Sequence, residues 1–327
     1  MSILYSYPIE LNDSAVITPV APDEYPQLLD ILELAFPDTS RSFFYAITTR
    51  DPYYKPDFTL AVKKDGEWKA CVQIFERVLQ FADRKARVGG IGSVATHPDS
   101  RGRGYSTALM NHALEVMRGV GMQAGMLFTS IHPFYERLGW QTIRQMEQEM
   151  DLHQIPVTAA PVAVRPLQPA DFSVLQAIFG ALQDRVQGMM LRSEQYWQVR
   201  GEWMNHTPVI VQENHQVLAY FFAAKYRLSE PILTISEYGV AQDDDRTFDL
   251  LIKAMVHKAR ELSCDRIRGF FAQDPLFRNY LDRKKLISGT HPFHYVMWHD
   301  LRNEITAADI QKLADELRFL YFQTDAF

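Results

Sequence analysis

An α/β fold with a mixed sheet, present twice in tandem, is predicted by three observations on the sequence. Strand-rich stretches lead into a helix in each half, a proline-rich interruption falls near the middle, and the order of elements repeats across it. The chain has 327 residues, room for two domains of roughly 150 each. The interruption follows MEQEMDLH, where QIPVTAAPVAVRPLQPADF carries four prolines among small residues. It places a first domain at residues 1–153, a linker at 154–161, a second domain at 162–303 and a terminal helix with its tail at 304–327.

Each half opens on an extended segment followed by a helix: AVITPVAPDEY and then Pro22 to Phe36, VAVRPLQPADF and then Pro169 to Leu182. Proline and an acidic residue stand near both helix starts, where a missing backbone donor costs least and negative charge meets the positive end of the helix. FTLAVKK, WKACVQIFERVL and RKARVGGIGSVAT read as strands of the first half, and TPVIVQE, VLAYFFAAKY and ILTISEYGVA repeat them in the second. Thr306 to Phe322 has helical apolar spacing at Ile310, Leu313, Leu317 and Leu320.

Composition narrows the function. A formal charge of -6 and a pI near 5.9 argue against a nonspecific nucleic-acid binder. Cys71 and Cys264 are the two cysteines, too few for a disulfide framework or a four-cysteine zinc site. His291, His294 and His299 lack a completing carboxylate pattern, so no metal is expected. No apolar run reaches the ~18 residues of a membrane span, and the amino terminus has no signal-like pattern. The expectation is a cytoplasmic protein without a membrane or nucleic-acid partner, monomeric or homodimeric.

The sharpest local signal is GIGSVATHPDSRGRGYSTALMNHALEVM. Val88 to Ala95 reads as a strand and Tyr105 to Met117 as a helix. Between them Arg101, Gly102, Arg103 and Gly104 can turn tightly, aim backbone N–H groups at an anion and add positive charge. A P-loop would end in Gly-Lys-Ser/Thr and a dinucleotide fingerprint would have three spaced glycines; neither is present. The turn resembles the coenzyme-A pyrophosphate loop of the Gcn5-related N-acetyltransferase (GNAT) superfamily, Arg/Gln-x-x-Gly-x-Gly/Ala, with Arg101, Gly104 and Ser106 in the fixed positions. The resemblance implies acetyl-CoA as cosubstrate, bound by Val94, Ala95, Arg101, Gly102, Arg103, Gly104, Tyr105 and Ser106.

A second segment, GMQAGMLFTSIHPFYERLGW, predicts a strand over Met122 to Thr129 and a short helix over Ser130 to Leu138. It is similar to the superfamily's segment whose tyrosine faces the cofactor sulfur, which places Tyr135 as the acid that protonates the departing thiolate. The order of elements over residues 5 to 300 resembles the tandem branch that includes the bacterial enhanced-intracellular-survival acetyltransferases. Those proteins carry a third, sterol-carrier-like domain, whereas only 27 residues follow Asp300. In that branch a terminal carboxylate serves as base, which puts the Phe327 carboxylate forward for that role. His132, near Tyr135, and Glu33 are further proton-handling or orienting groups.

In the second half the corresponding loop is Ala241-Gln242-Asp243-Asp244-Asp245-Arg246-Thr247. It has no glycine, and its three carboxylates repel pyrophosphate, so a single cofactor site is expected in the first half, with the acidic residues capping the next helix. The function expected is direct acetyl transfer from acetyl-CoA to the primary amine of a small molecule or peptide, with a backbone donor near Val94 or Ala95 stabilising the oxyanion. The rival readings are a noncatalytic acyl-CoA sensor and a structural module.

Overall fold

The computed structural model describes residues 6–155, 162–200, 207–225 and 229–325. The first half runs β1 (Ile9–Glu10), β2 (Val16–Pro19), α1 (Tyr25–Ala35), α2 (Arg41–Thr49), β3 (Thr59–Lys64), β4 (Glu67–Gln80), β5 (Lys85–Thr96), α3 (Tyr105–Gly119), β6 (Ala124–Phe128), α4 (His132–Glu136), β7 (Gln141–Thr142) and β8 (Gln145–Asp151). The second runs β9 (Val164–Pro166), α5 (Phe172–Gln183), β10 (Met189–Met190), α6 (Glu194–Arg200), β11 (Thr207–Glu213), β12 (Gln216–Ala224), β13 (Ile232–Val240), α7 (Asp245–Glu261), β14 (Arg266–Gly269), α8 (Pro275–Lys284), β15 (Gly289–Phe293), β16 (Val296–Asp300) and α9 (Ala307–Asp315). The strands predicted around the chain centre of each half match these to within a residue or two, because strands buried on both faces read as near-continuous apolar runs. The linker's residues 156–161 lie outside the described residues.

Two sheets form, ordered β1-β2-β3-β4-β5-β6-β16-β7, with β10 on β4, and β15-β8-β14-β13-β12-β11-β9. Each half repeats one unit, a meander leading to a parallel pair joined by a crossover helix: β5-α3-β6 and β13-α7-β14. The sheets do not follow the proline-rich boundary. Strand β8, from the first half, lies between β14 and β15, and β16, from the second, lies between β6 and β7. Each half therefore completes the other's ladder, so neither sheet keeps its full set of hydrogen bonds if the halves part.

The period of two along β4 shows how the cores are divided. Ala70, Val72 and Ile74 face α3, while Cys71, Phe75 and Leu79 join a larger core that runs through α1, the second half and the chain's tail. The predicted helix from Thr306 to Phe322 is shorter than expected. α9 starts on a reciprocal cap between Thr306 and Asp309, then ends at Asp315, and Leu317 turns the chain with φ 56°. The backbone of residues 318–320 then bonds to Gln187, and Phe319, Leu320, Tyr321 and Phe322 are all buried. Four consecutive buried side chains need contact all round, which a surface helix with one apolar stripe cannot give.

Strand exchange also buries Glu147 of β8, whose carboxyl is pushed up to about 7 by desolvation, partly opposed by Arg268. A raised acid contributes stability at low pH that is lost as pH rises through its folded value. Glu147→Gln is therefore expected to lose little or no stability at pH 5 and to gain up to about 3 kcal/mol over the native protein at pH 8. Denaturant titrations at the two pH values check this; an equal difference at both means that Glu147 does not titrate across that window.

Candidate active site

Strands β5 and β6 pair in parallel only from Val88↔Ala124 to Ile91↔Leu127 and then part, β5 staying on β4 and β6 on β16. At the parting point β5 bulges. Gln73 faces Gly92 and Cys71 faces Ala95, so Ser93 and Val94 together oppose Val72. Ser93 takes φ 53°, uncommon for a non-glycine residue, and its nearly buried hydroxyl has no partner among the described residues. The extra residue takes part of the backbone off the ladder at this point.

A cleft of about 370 Å³ opens at this split. Ile91, Gly92, Ser93 and Val94 form one wall and Phe128, Thr129 and Ser130 the other, with Ile131 and Tyr135 at one end. Its roof is the α1–α2 segment, through Phe36, Thr39, Phe43, Phe44 and Ile47. Ser40 starts α2 by accepting the Phe43 N–H, which fixes the two aromatic rings that follow it over the cleft.

Tyr135 stands on α4 with its ring edge-on to Phe134 and Trp140. Desolvation pushes its hydroxyl up to about 12, so it keeps its proton across the neutral range. That suits a proton donor. Val94 lines the cleft as expected, but Ala95 is already back in the ladder opposite Cys71 and does not. His132 also stays out, its Nε2 3.2 Å from the Thr129 carbonyl, and Glu33 is held by Arg41 at 2.9 Å. Phe327 lies outside the described residues.

Beyond the bulge the chain makes the turn read from the sequence. Gly102 and Gly104 have φ 76° and 82°, and a Cβ at either would meet nothing within 4 Å, so glycine is needed there for conformation rather than space. Gly104 leads into α3 with no side-chain cap, leaving the first-turn N–H groups free for an anion. Arg101 and Arg103 are exposed and form no ion pair with a described carboxylate. Ser106 bonds to Thr96, tying the first turn of α3 to the end of β5. Tyr105 is buried, with its hydroxyl 2.5 Å from Asp13, so its backbone rather than its side chain is available to a ligand. Asp13 is also bound by Lys64, and together these bonds hold its carboxyl down to about 2. Free donors, positive charge and a strained bulge fit a pyrophosphate followed by a thioester.

Among the described residues the second half has no equivalent turn. Asp243 is bound by both Arg185 nitrogens at 3.0 Å, and Asp244 caps α7 by accepting the Thr247 N–H at 2.7 Å. Where β13 parts from β14, the tail fills the space. Phe322 packs beside Tyr238 and Phe179, and Thr324 bonds to Glu237. Both cysteines are poor nucleophiles; burial pushes the Cys71 thiol up to about 12 and raises that of Cys264. Among the described residues there is no group of three or more His, Cys, Asp or Glu placed to hold a metal, and no helix long and apolar enough to cross a membrane.

Residues 16–143 match the family model described as an acetyltransferase (GNAT) domain. No curated protein matches the sequence. Among solved structures, the chain is similar to a GCN5-related N-acetyltransferase from Anabaena variabilis, at 14% identity and TM-score 0.65 over 88% of this chain and 73% of that one. Eis1 from Mycobacterium abscessus aligns at 14% identity and TM-score 0.59, covering 88% and 74%. Saccharomyces cerevisiae N-myristoyltransferase with bound myristoyl-CoA aligns at 11% and 0.63, covering 90% and 81%. The mixed α/β fold with its two sheets resembles a tandem GNAT architecture, and the likeness supports an acetyltransferase-type activity.

The turn and Tyr135 were read from the sequence; the bulge at Ser93 and the aromatic roof were not. The signal for the bulge was the glycine-rich run Gly89-Gly90-Ile91-Gly92 inside a strand, and for the roof the density of aromatics in FPDTSRSFFYAI.

Proposed function

We propose that the protein is an acetyl-CoA-dependent N-acetyltransferase that transfers acetyl directly to a primary amine in a ternary complex. The observation that carries this reading is the juxtaposition at one sheet split of a strained bulge, a basic turn with free helix-start donors, and a desolvated tyrosine. Arg101, Arg103 and the N–H groups from Gly104 to Ser106 hold the pyrophosphate. The bulge's backbone and the Ser93 hydroxyl face the thioester oxygen as charge develops there. Tyr135 gives its proton to the leaving sulfur.

Coenzyme A is expected to bind once per chain. Arg101→Ala and Arg103→Ala should each weaken binding by roughly tenfold, since a hydrogen bond to a charged group contributes about 1.5–3 kcal/mol and part of it is screened at the surface. Calorimetric titration reads this directly. Two equivalent sites, or undiminished affinity in the folded double variant, overturns the assignment. Tight binding without free thiol release in the presence of any amine indicates a sensor instead.

A further inference from the structure

Resting on the acetyltransferase reading above, we infer that the acceptor is an aromatic or bulky apolar primary amine. It reacts as the free base, its proton shed to solvent by desolvation rather than taken by a side-chain carboxylate. The fourteen residues lining the cleft include four phenylalanines, three isoleucines and a valine, and Tyr135 is the one ionisable side chain among them. Among the described lining residues a polycation such as a polyamine or aminoglycoside finds no counter-charge for its ammonium groups, at a cost of several kcal/mol each.

Among the described residues, most charged groups on the surrounding elements are engaged or solvent-exposed. On α1 and α2, Asp30 and Glu33 both hold Arg41, and just beyond α2 Asp51 holds Arg77. On β4, Glu76 holds Lys55 and Arg87. On α4, His132 is bound to the Thr129 carbonyl and Glu136 is exposed. Asp38 precedes Thr39 at the mouth but is solvent-exposed, where an ion pair contributes at most about 1 kcal/mol. Contact of an ammonium with the phenylalanine faces recovers only about 0.5–2 kcal/mol. An apolar wall instead lowers the pKa of an entering amine and delivers the neutral nucleophile.

The cleft suits an acceptor better than a long acyl chain. Ile131 at its end is 66% exposed, so an amine can enter from solvent with the thioester in place. Thr39, Thr129 and Ser130 also line it, and their hydroxyls can orient an N–H. The amine lone pair attacks the thioester carbonyl carbon, the C–N bond forms and the C–S bond breaks. Sulfur takes the Tyr135 proton, and the proton leaving nitrogen returns to the Tyr135 oxygen through water. The products are an amide and a free thiol, with nothing oxidised or reduced.

Initial rates of thiol release from acetyl-CoA test this with 2-phenylethylamine, benzylamine, n-butylamine, spermidine and an aminoglycoside. kcat/KM for 2-phenylethylamine is expected to exceed that for n-butylamine by about tenfold and that for spermidine by about 100-fold. Its rise with pH should shift between 2-phenylethylamine and the less basic benzylamine by the difference in their own pKa values. Phe43→Asp, at a half-buried position, should raise kcat/KM for spermidine by about tenfold by supplying the missing counter-charge. Should that variant not fold, Ile131→Asp at the exposed end makes the same test. A native preference for spermidine or the aminoglycoside, or a pH limb that stays fixed across amines, overturns the inference and leaves the acetyltransferase reading standing. Octanoyl-CoA bound at least tenfold more tightly than acetyl-CoA assigns the cleft to an acyl chain and likewise overturns it. No thiol release with any amine, despite coenzyme-A binding, overturns both.

Discussion

Tyr135→Phe is expected to lower the single-turnover rate of acetyl transfer by about 100-fold while leaving acetyl-CoA affinity and folding close to native. The ring's edge contacts with Phe134 and Trp140 survive the substitution, and the hydroxyl it removes has no protein partner among the described residues. What is lost is the proton held at the cleft's edge. Because burial pushes that hydroxyl up to about 12, the acid is intact throughout the neutral range and should impose no alkaline limb below about pH 11. Rapid-mixing measurements with a true acceptor are needed, since slow product release can mask a change in chemistry. An unchanged transfer rate in the folded variant makes Tyr135 a packing residue and passes the acid's role to water or the Ser93 hydroxyl.

Arg192→Ala should produce the largest loss of stability, at least 3–5 kcal/mol by the measure of other broken buried ion pairs. The Arg192 guanidinium meets Glu237 at 2.8 Å and Asp325 at 2.6 Å, all three side chains fully or almost fully buried, and lies 3.8 Å from the centre of the Phe179 ring. Both carboxylates meet the guanidinium, and the Tyr196, Tyr220 and Thr324 hydroxyls donate to them as well. Removing the guanidinium takes a buried ion pair from each carboxylate, whereas Asp325→Asn keeps the Arg192–Glu237 pair and should cost clearly less. A fall in Tm on the order of 10 °C for Arg192→Ala, with a smaller one for Asp325→Asn, is the expected ranking. Equal losses for the two variants, or a Tm for Arg192→Ala near native, means that the cluster is not what fixes the tail between the halves.

The glycine-arginine turn was legible in the sequence because its physics is local. Gly102 and Gly104 supply left-handed backbone, α3 supplies unpaired donors within four residues of them, and Arg101 and Arg103 bring charge, all inside one short stretch. The acidic loop of the second half was legible for the same reason, and the Asp244 cap bears out the reading that these carboxylates start a helix. The two-fold repetition of strands and crossover helices could likewise be read, since burial on both sides of a sheet writes itself as residue pattern.

The tertiary structure alone decided the rest. No pattern in β8 or β16 records which sheet it joins, because a largely buried strand fits either ladder; only the closing of both sheets selects the exchange. The fate of residues 316–322 was hidden because Leu317 and Leu320 keep helical spacing with Ile310, yet the space where β13 parts from β14 takes these residues as an extended plug. The chemistry of the cleft was also beyond the sequence. An overall charge of -6 points towards cationic partners, but charge acts on a ligand through the groups that line its site. Here Phe36, Phe43, Phe44 and Phe128, far apart in the chain, meet where two strands separate and leave the carboxylates paired elsewhere.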